Sequence, residues 1–226
     1  MRITWHGHAF FAVEAASGTT LLVDPFLSGN PHTDLGPDDF DPDFVAVTHG
    51  DFFDHAGDAH RFGVPVVCQS LMARDLLALD HPVVDLTIGG RFSHEGLSLT
   101  MVHAHHSMGT SATGIERTDY GGVAAGYVID DGGTTFYHSG DTGLFGDMKH
   151  VVRDVYGPEV AAVPIGGHHT MEPEEAAIAA EWIGAETVVP MHYGTFPEID
   201  VDPEAFAERV EGPTVEILES GDSYEG

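Results

Sequence analysis

The 226 residues carry 37 Asp and Glu against 8 Lys and Arg, a formal net charge of −29 at pH 7, with 42% hydrophobic content. That hydrophobic share excludes a disordered acidic chain, and the scarcity of cations excludes a phosphate-reading nucleic-acid binder. The N-terminus "MRITWHGHAF" has no apolar signal-type region, and no run reaches the roughly eighteen apolar residues of a spanning helix, so a cytoplasmic protein without a membrane partner is expected.

The acids are scattered ("GPDDFDPDF", "VIDDGG", "EEAAIAAEW", "ESGDSYEG") instead of forming a tail. Self-repulsion on this scale opposes a compact state in dilute buffer, whereas molar salt shortens the Debye length to about 3 Å. A salt-accumulating halophile is the expected source. The length suits one domain over residues 1–226, and the single cysteine, Cys68, sits in apolar "VPVVCQS" as a buried thiol with no disulfide partner.

Along the chain, β-type runs come first: "RITWHG", "FFAVEA", "TTLLVD", "FVAVTH" and "VPVVCQ". Ala16–Thr19 is a tight-turn stretch between the second and third of these. Helical periodicity appears at 70–79. Strand patterns resume at "PVVDLTI", "LSLTMVHA", "VAAGYVID" and "TTFYHSGD", the last two joined by the turn Asp130–Gly133. A second helix is expected over 172–185, with Pro173 at its first position and acids in its first turn, and a third over 203–210. Many strands, then strands alternating with helices, suit two packed sheets with helices outside.

Sixteen histidines mean less than their positions. In "VTHGDFFDHAGD", His49, Asp51, Asp54 and His55 follow an apolar strand into a turn, where side chains can converge. Taken alone, the segment reads equally as an aspartate-rich capping turn. Three further strand ends change that: "HAHHS" (103–107), Asp141 in "YHSGDTGLF", and His192 in "VVPMHYGTFP". Four such endings point to one shared site. Imidazole nitrogen with carboxylate oxygen suits Zn, Mn or Fe(II), whereas Ca or Mg would take oxygen alone.

The chain resembles the metallo-β-lactamase superfamily, in particular its small metal-dependent hydrolases related to the L-ascorbate 6-phosphate lactonases. The resemblance rests on "WHGHAFFAVE", "LLVDPFLSGNP", "THGDFFDHAGD", "HHS", "HSGDTGLFGDM", "PIGGHHTMEPEEAA" and "MHYGTFP", in that order. It implies an α/β fold, a four-layer αββα sandwich, with one or two divalent ions (Zn, Mn or Fe) at one edge of the sheets. Carried over by position, His49 and His106 hold the first ion, Asp54, His55 and His192 the second, and Asp141 bridges them. His106 is chosen over His105 because the family's ligand precedes the serine; His103 and His105 fall to the pocket or the surface. His8 and His168 are the candidates for a pocket histidine that stabilises developing charge or protonates the leaving group, and Asp24 in "VDPF" for a carboxylate that orients a ligand histidine.

The family's His-x-His-x-Asp-His motif is altered by one inserted residue. Counted forward from His49, Asp51 occupies the second-histidine position; counted back from His55, Phe52 does. Phenylalanine cannot ligate, so either the loop bulges and Asp51 supplies an oxygen, the favoured reading, or the first ion keeps only His49, His106 and the bridge. An added carboxylate tilts preference from Zn towards Mn or Fe(II). It is also similar to the flavodiiron branch, whose flavin module this chain has no room for.

The resemblance implies hydrolysis of an ester or lactone, amide or phosphodiester bond of a small molecule by water whose pKa a bound metal lowers to about 7. A non-catalytic metal-binding protein and a di-iron redox protein are the alternatives. Ser107 and Ser139 lie in no nucleophile elbow, and Glu172, Glu174 and Glu175 read as helix-start acids. Arg117, in the loop 107–122, is a candidate anion contact. Neither substrate nor oligomeric state is legible.

Overall fold

In a computed structural model of the protein, which describes residues 1–50, 55–78, 80–108 and 122–226, period-two alternation sorts the early strands into two faces. These strands are β1 (Arg2–Trp5), β2 (Phe11–Glu14), β3 (Thr20–Val23), β4 (Phe44–Ala46), β5 (Val66–Gln69) and β6 (Val83–Leu86). Phe11, Val13, Leu21, Val23, Phe44 and Ala46 enter the large core between the sheets. Their neighbours Phe10, Leu22 and Val45 point the other way, into a smaller core with Met72, Ala73 and Leu76 of helix α1 (Ser70–Ala78). Cys68 belongs to that smaller core, where burial pushes its thiol up to about 12.

The second half contributes β7 (Arg91–His94), β8 (Leu97–His103), β9 (Ala125–Asp130), β10 (Thr135–His138), β11 (Val160–Pro164), β12 (Thr187–Met191), β13 (Thr214–Val215) and β14 (Ser223–Glu225). Among the described residues there are two seven-stranded sheets, ordered β14-β1-β2-β3-β4-β5-β6 and β13-β12-β11-β10-β9-β8-β7. Each is antiparallel through four strands and parallel through the rest, so the two share one pattern of pairing. Helices α2 (Pro173–Ile183) and α3 (Pro203–Ala207) and a π-helix at Met148–Tyr156 complete the outer layers. The fold is the expected αββα sandwich.

Both expected hairpins form. Gly18, at φ +91°, turns β2 into β3, and Gly132, at φ +82°, turns β9 into β10, where Asp131 Oδ1 accepts from Gly133 N and Thr134 N at 3.0 and 2.9 Å. α2 starts at Pro173 and stops at left-handed Gly184, and α3 ends at Ala207, three residues short of expectation. Strands β7, β11, β13 and β14 and the π-helix were not expected. No helix among the described residues is long and apolar enough to cross a membrane.

Candidate metal centre

Five of the site segments leave the sheets at one edge. His49 follows β4, His106 follows β8, Asp141 follows β10, His192 follows β12, and His8 lies in the turn from β1 to β2. These turns demand unusual backbone: His8, His192 and Asp24 are left-handed, at φ +55°, +54° and +47°. Such conformations cost of order 1–3 kcal/mol each in non-glycine residues and collect at functional sites.

The donors gather in two trios. His8, His55 and His192 form one, and His49, His106 and Asp141 the other; within each, the ligand atoms lie within 4.8 Å of one another. All are buried except His106, which is half-buried. Asp141 joins the trios: its Oδ2 is 2.9 Å from His192 Nε2 and 3.9 Å from His49 Nε2, and its Oδ1 is 3.3 Å from His55 Nε2. Burial alone would push the Asp141 carboxyl up; His192 and His55 outweigh burial and hold it well below the usual range. A buried anion ringed by imidazoles is a set of borderline N and O donors that fits Zn, Mn or Fe(II).

Supporting groups orient these donors. Asp24, fully buried, accepts from Thr48 N at 2.8 Å and Thr48 Oγ1 at 2.7 Å. With its proton given to Asp24, the Thr48 hydroxyl accepts from His49 Nδ1 at 2.9 Å, which puts the ring's lone pair on Nε2, the nitrogen on the Asp141 side. Asp24 therefore reaches its histidine through a threonine, not directly as a carboxylate–histidine pair. His8 Nδ1 sits 3.0 Å from Thr195 Oγ1, and its ring centroid is 4.0 Å from that of His192. His192 N in turn donates to His8 O at 2.9 Å, linking β12 to the first turn.

Of the residues singled out in the sequence, the structure brings together His8, His49, His55, His106, Asp141 and His192. Asp51, Asp54 and Arg117 lie outside the described residues. His168 is exposed beside His192, in a cavity of about 310 Å³ lined also by His169, Phe196, Glu198 and Ile199. His105 is exposed, and His103 is half-buried against Phe145. Ser139 donates to Gly140 O at 2.8 Å, Ser107 is exposed, Glu174 pairs with Arg209 at 3.1 Å, and Glu172 stands at the N-cap position of α2 without a side-chain capping bond.

Sequence reasoning passed over Thr48, Thr195 and His138. His138 is fully buried, donates from Nε2 to Ala9 O at 2.9 Å and accepts at Nδ1 from Gly140 N at 3.1 Å, so it shapes the turn that presents Asp141. Its signal was its place at the end of the "TTFYH" run, next to the "SGD" turn.

Burial holds His138 and His6 at about 4, against 6.5 in the unfolded chain. The unfolded state therefore binds more protons between those values, so their stabilisation is complete above 6.5 and lost as pH falls towards about 4. Asp24 works oppositely: burial raises it from 3.8 to about 7, so its contribution falls as pH rises through that range. Two histidines against one carboxyl make the metal-free protein weaker in acid. Its urea midpoint should drop from pH 7 to 5, and His138→Gln should flatten the drop; an unchanged slope in the variant contradicts the assignment.

The family model of the β-lactamase superfamily domain matches residues 2–192. A UPF0173 metal-dependent hydrolase of Methanopyrus kandleri is 47% identical over 235 residues and aligns over 100% of both chains. One from Halorubrum lacusprofundi is 39% identical, over 99% of this chain and 96% of its own. Among solved structures, a metallo hydrolase of the hyperthermophilic archaeon Ignicoccus hospitalis superposes with a TM-score of 0.87 at 34% identity, over 100% of this chain and 98% of that one.

Proposed function

Because the chain belongs to the β-lactamase superfamily domain family, among the UPF0173 metal-dependent hydrolases, we propose that its two donor trios hold divalent ions for hydrolysis of an ester or lactone, amide or phosphodiester bond in a small molecule. The observation that carries this reading is the approach of Asp141 to His49, His55 and His192 from both of its oxygens. His49, His106 and Asp141 would hold the first ion, and Asp51 is the residue the sequence offers to complete that set. His55, His192 and Asp141 would hold the second, with His8 as a third imidazole there and Asp54 as the further carboxylate the sequence offers. When bound, the ions supply Lewis acidity and lower the pKa of water to about 7.

The protein's own groups do the rest. Asp24 and Thr48 keep the His49 proton on Nδ1. Thr195 fixes the His8 ring. His168, beside His192 in the cavity, meets the leaving group from the solvent side and protonates it, while Phe196 and Ile199 supply the apolar part of the wall. The reading takes residues 1–226 as one domain, working in the cytoplasm of a salt-accumulating cell, because a charge of −29 is best tolerated where salt screens it.

The test is a panel of ester, lactone, amide and phosphodiester substrates offered in molar KCl to protein loaded with Zn, Mn or Fe(II). Turnover of one class that vanishes on chelation supports the proposal. Tight metal with no turnover supports a binding protein, and redox-active di-iron supports the oxidative alternative that an Asp51 ligand would favour. Within the active class, His168→Ala should lower kcat/KM about a hundredfold, the usual scale of a lost proton donor, with metal content unchanged. Wild-type turnover in that variant would remove His168 from the chemistry.

A further inference from the structure

The segment that follows β3 grips both ends of the loop 48–58. At the near end, the Asp24 carboxylate takes Thr48 N and Thr48 Oγ1 at 2.8 and 2.7 Å. At the far end the roles reverse: Leu27 N and Ser28 N donate to Asp58 Oδ2 at 2.8 and 2.7 Å, and Ser28 Oγ donates to Asp58 Oδ1 at 2.8 Å. Arg61 Nη1 pairs with the same Oδ1 and reaches Ser28 Oγ at 2.8 Å. Asp58 is 2% exposed, so this is a buried carboxylate saturated with donors and not a surface pairing. The same segment also holds the first turn, since Asn30 Nδ2 donates to His6 O and to Phe26 O, both at 3.0 Å.

His49 lies one residue inside the near anchor and His55 three residues inside the far one. We infer that Asp58 is a positioning residue for the metal centre, pinning the far end of the ligand loop to the segment that pins its near end and thereby fixing His55 against His8 and His192. The residue inserted between the two halves of the motif falls between the anchors. On either side of it His49 and His55 lie with ring centroids 4.3 Å apart. Losing the far anchor frees His55 but leaves His49 held through Thr48.

The inference rests on the metal reading of the site, and calorimetric titration of metal-free protein with Mn²⁺ in molar KCl separates the two. If the wild type binds no Mn²⁺, the metal reading fails and this inference with it. If it binds, Asp58→Asn, which replaces one acceptor oxygen by an amide donor facing other donors, should weaken at least one binding step 10–100-fold, the usual effect of losing a group that supports metal ligands. Ser28→Ala, which removes a single bond, should weaken the same step by less while leaving the far-ultraviolet circular dichroism unchanged. Saturating Mn²⁺ should return kcat of both variants to near the wild-type value, which a damaged fold would not allow. Unchanged affinity in both folded variants, or a loss that excess Mn²⁺ does not restore, overturns the role of Asp58.

Discussion

Replacing Asp141 by asparagine should lower kcat/KM at least about a thousandfold, close to 4 kcal/mol of barrier at 1.36 kcal/mol per factor of ten, and should empty both ion positions. The size follows from geometry. One Asp141 oxygen faces His192 and His49, the other faces His55, and the side chain is 3% exposed, so no solvent group can substitute. Asparagine keeps the shape but loses the charge, and it turns an amide towards one set of imidazoles. The two ions would then lose the one carboxylate they share, each keeping only the aspartate proposed for it among neutral imidazoles, which few buried sites tolerate. Elemental analysis of the dialysed variant checks the claim independently of turnover. Retention of two ions per chain would show that Asp141 is not their common ligand.

The sheet strands were legible wherever alternation divided side chains between two buried faces, as in "FFAVEA" and "TTLLVD", where successive residues fall into different cores. The strands that escaped notice lacked that signal. β7 presents "RFSH" with alternate exposed positions at a sheet edge, and β13 and β14 are short and mostly exposed. β11 is buried on both faces, so its run "VAAVP" has no periodicity to read. The π-helix does carry apolar Met148, Val151, Val152 and Val155 at helical spacing, but Lys149, His150, Arg153 and Asp154 within the same nine residues masked the pattern.

The candidate site divides in the same way. Residues at the ends of apolar strands were readable because four such endings recur in one chain, although any one of them alone reads as a turn. His8 was named only as a pocket histidine, through the family resemblance; its place among the donors needed the fold, in which Thr195 and His192 come against the first turn. Thr48 and Asp58 needed it too: their partners stand 24 and about 30 residues away, and neither a threonine nor a turn aspartate looks unusual in a sequence.

The second large effect is expected at a residue with no side chain. Gly140 adopts φ +62°, and a Cβ placed there would lie 2.4 Å from Ala125 O and 3.0 Å from Thr48 Cβ. The first obstacle is backbone of β9, which cannot swing aside as a flexible side chain would, and the second belongs to the residue that orients His49. Gly140→Ala therefore has to move the turn itself, and with it Asp141, the next residue in the chain. Left-handed strain and a rigid overlap together should cost several kcal/mol of stability, the scale of the more severe single substitutions. Folded protein that remains should bind metal weakly, because the displacement acts on the bridging carboxylate and on Thr48 at once. Alanine at Gly132 makes the control: it too has positive φ, at +82°, but open space around it, so it should lose only the backbone part and keep its metal. Equal losses of Tm in the two variants, with metal affinity preserved in both, would show that contact with Ala125 and Thr48 is not what requires glycine before Asp141.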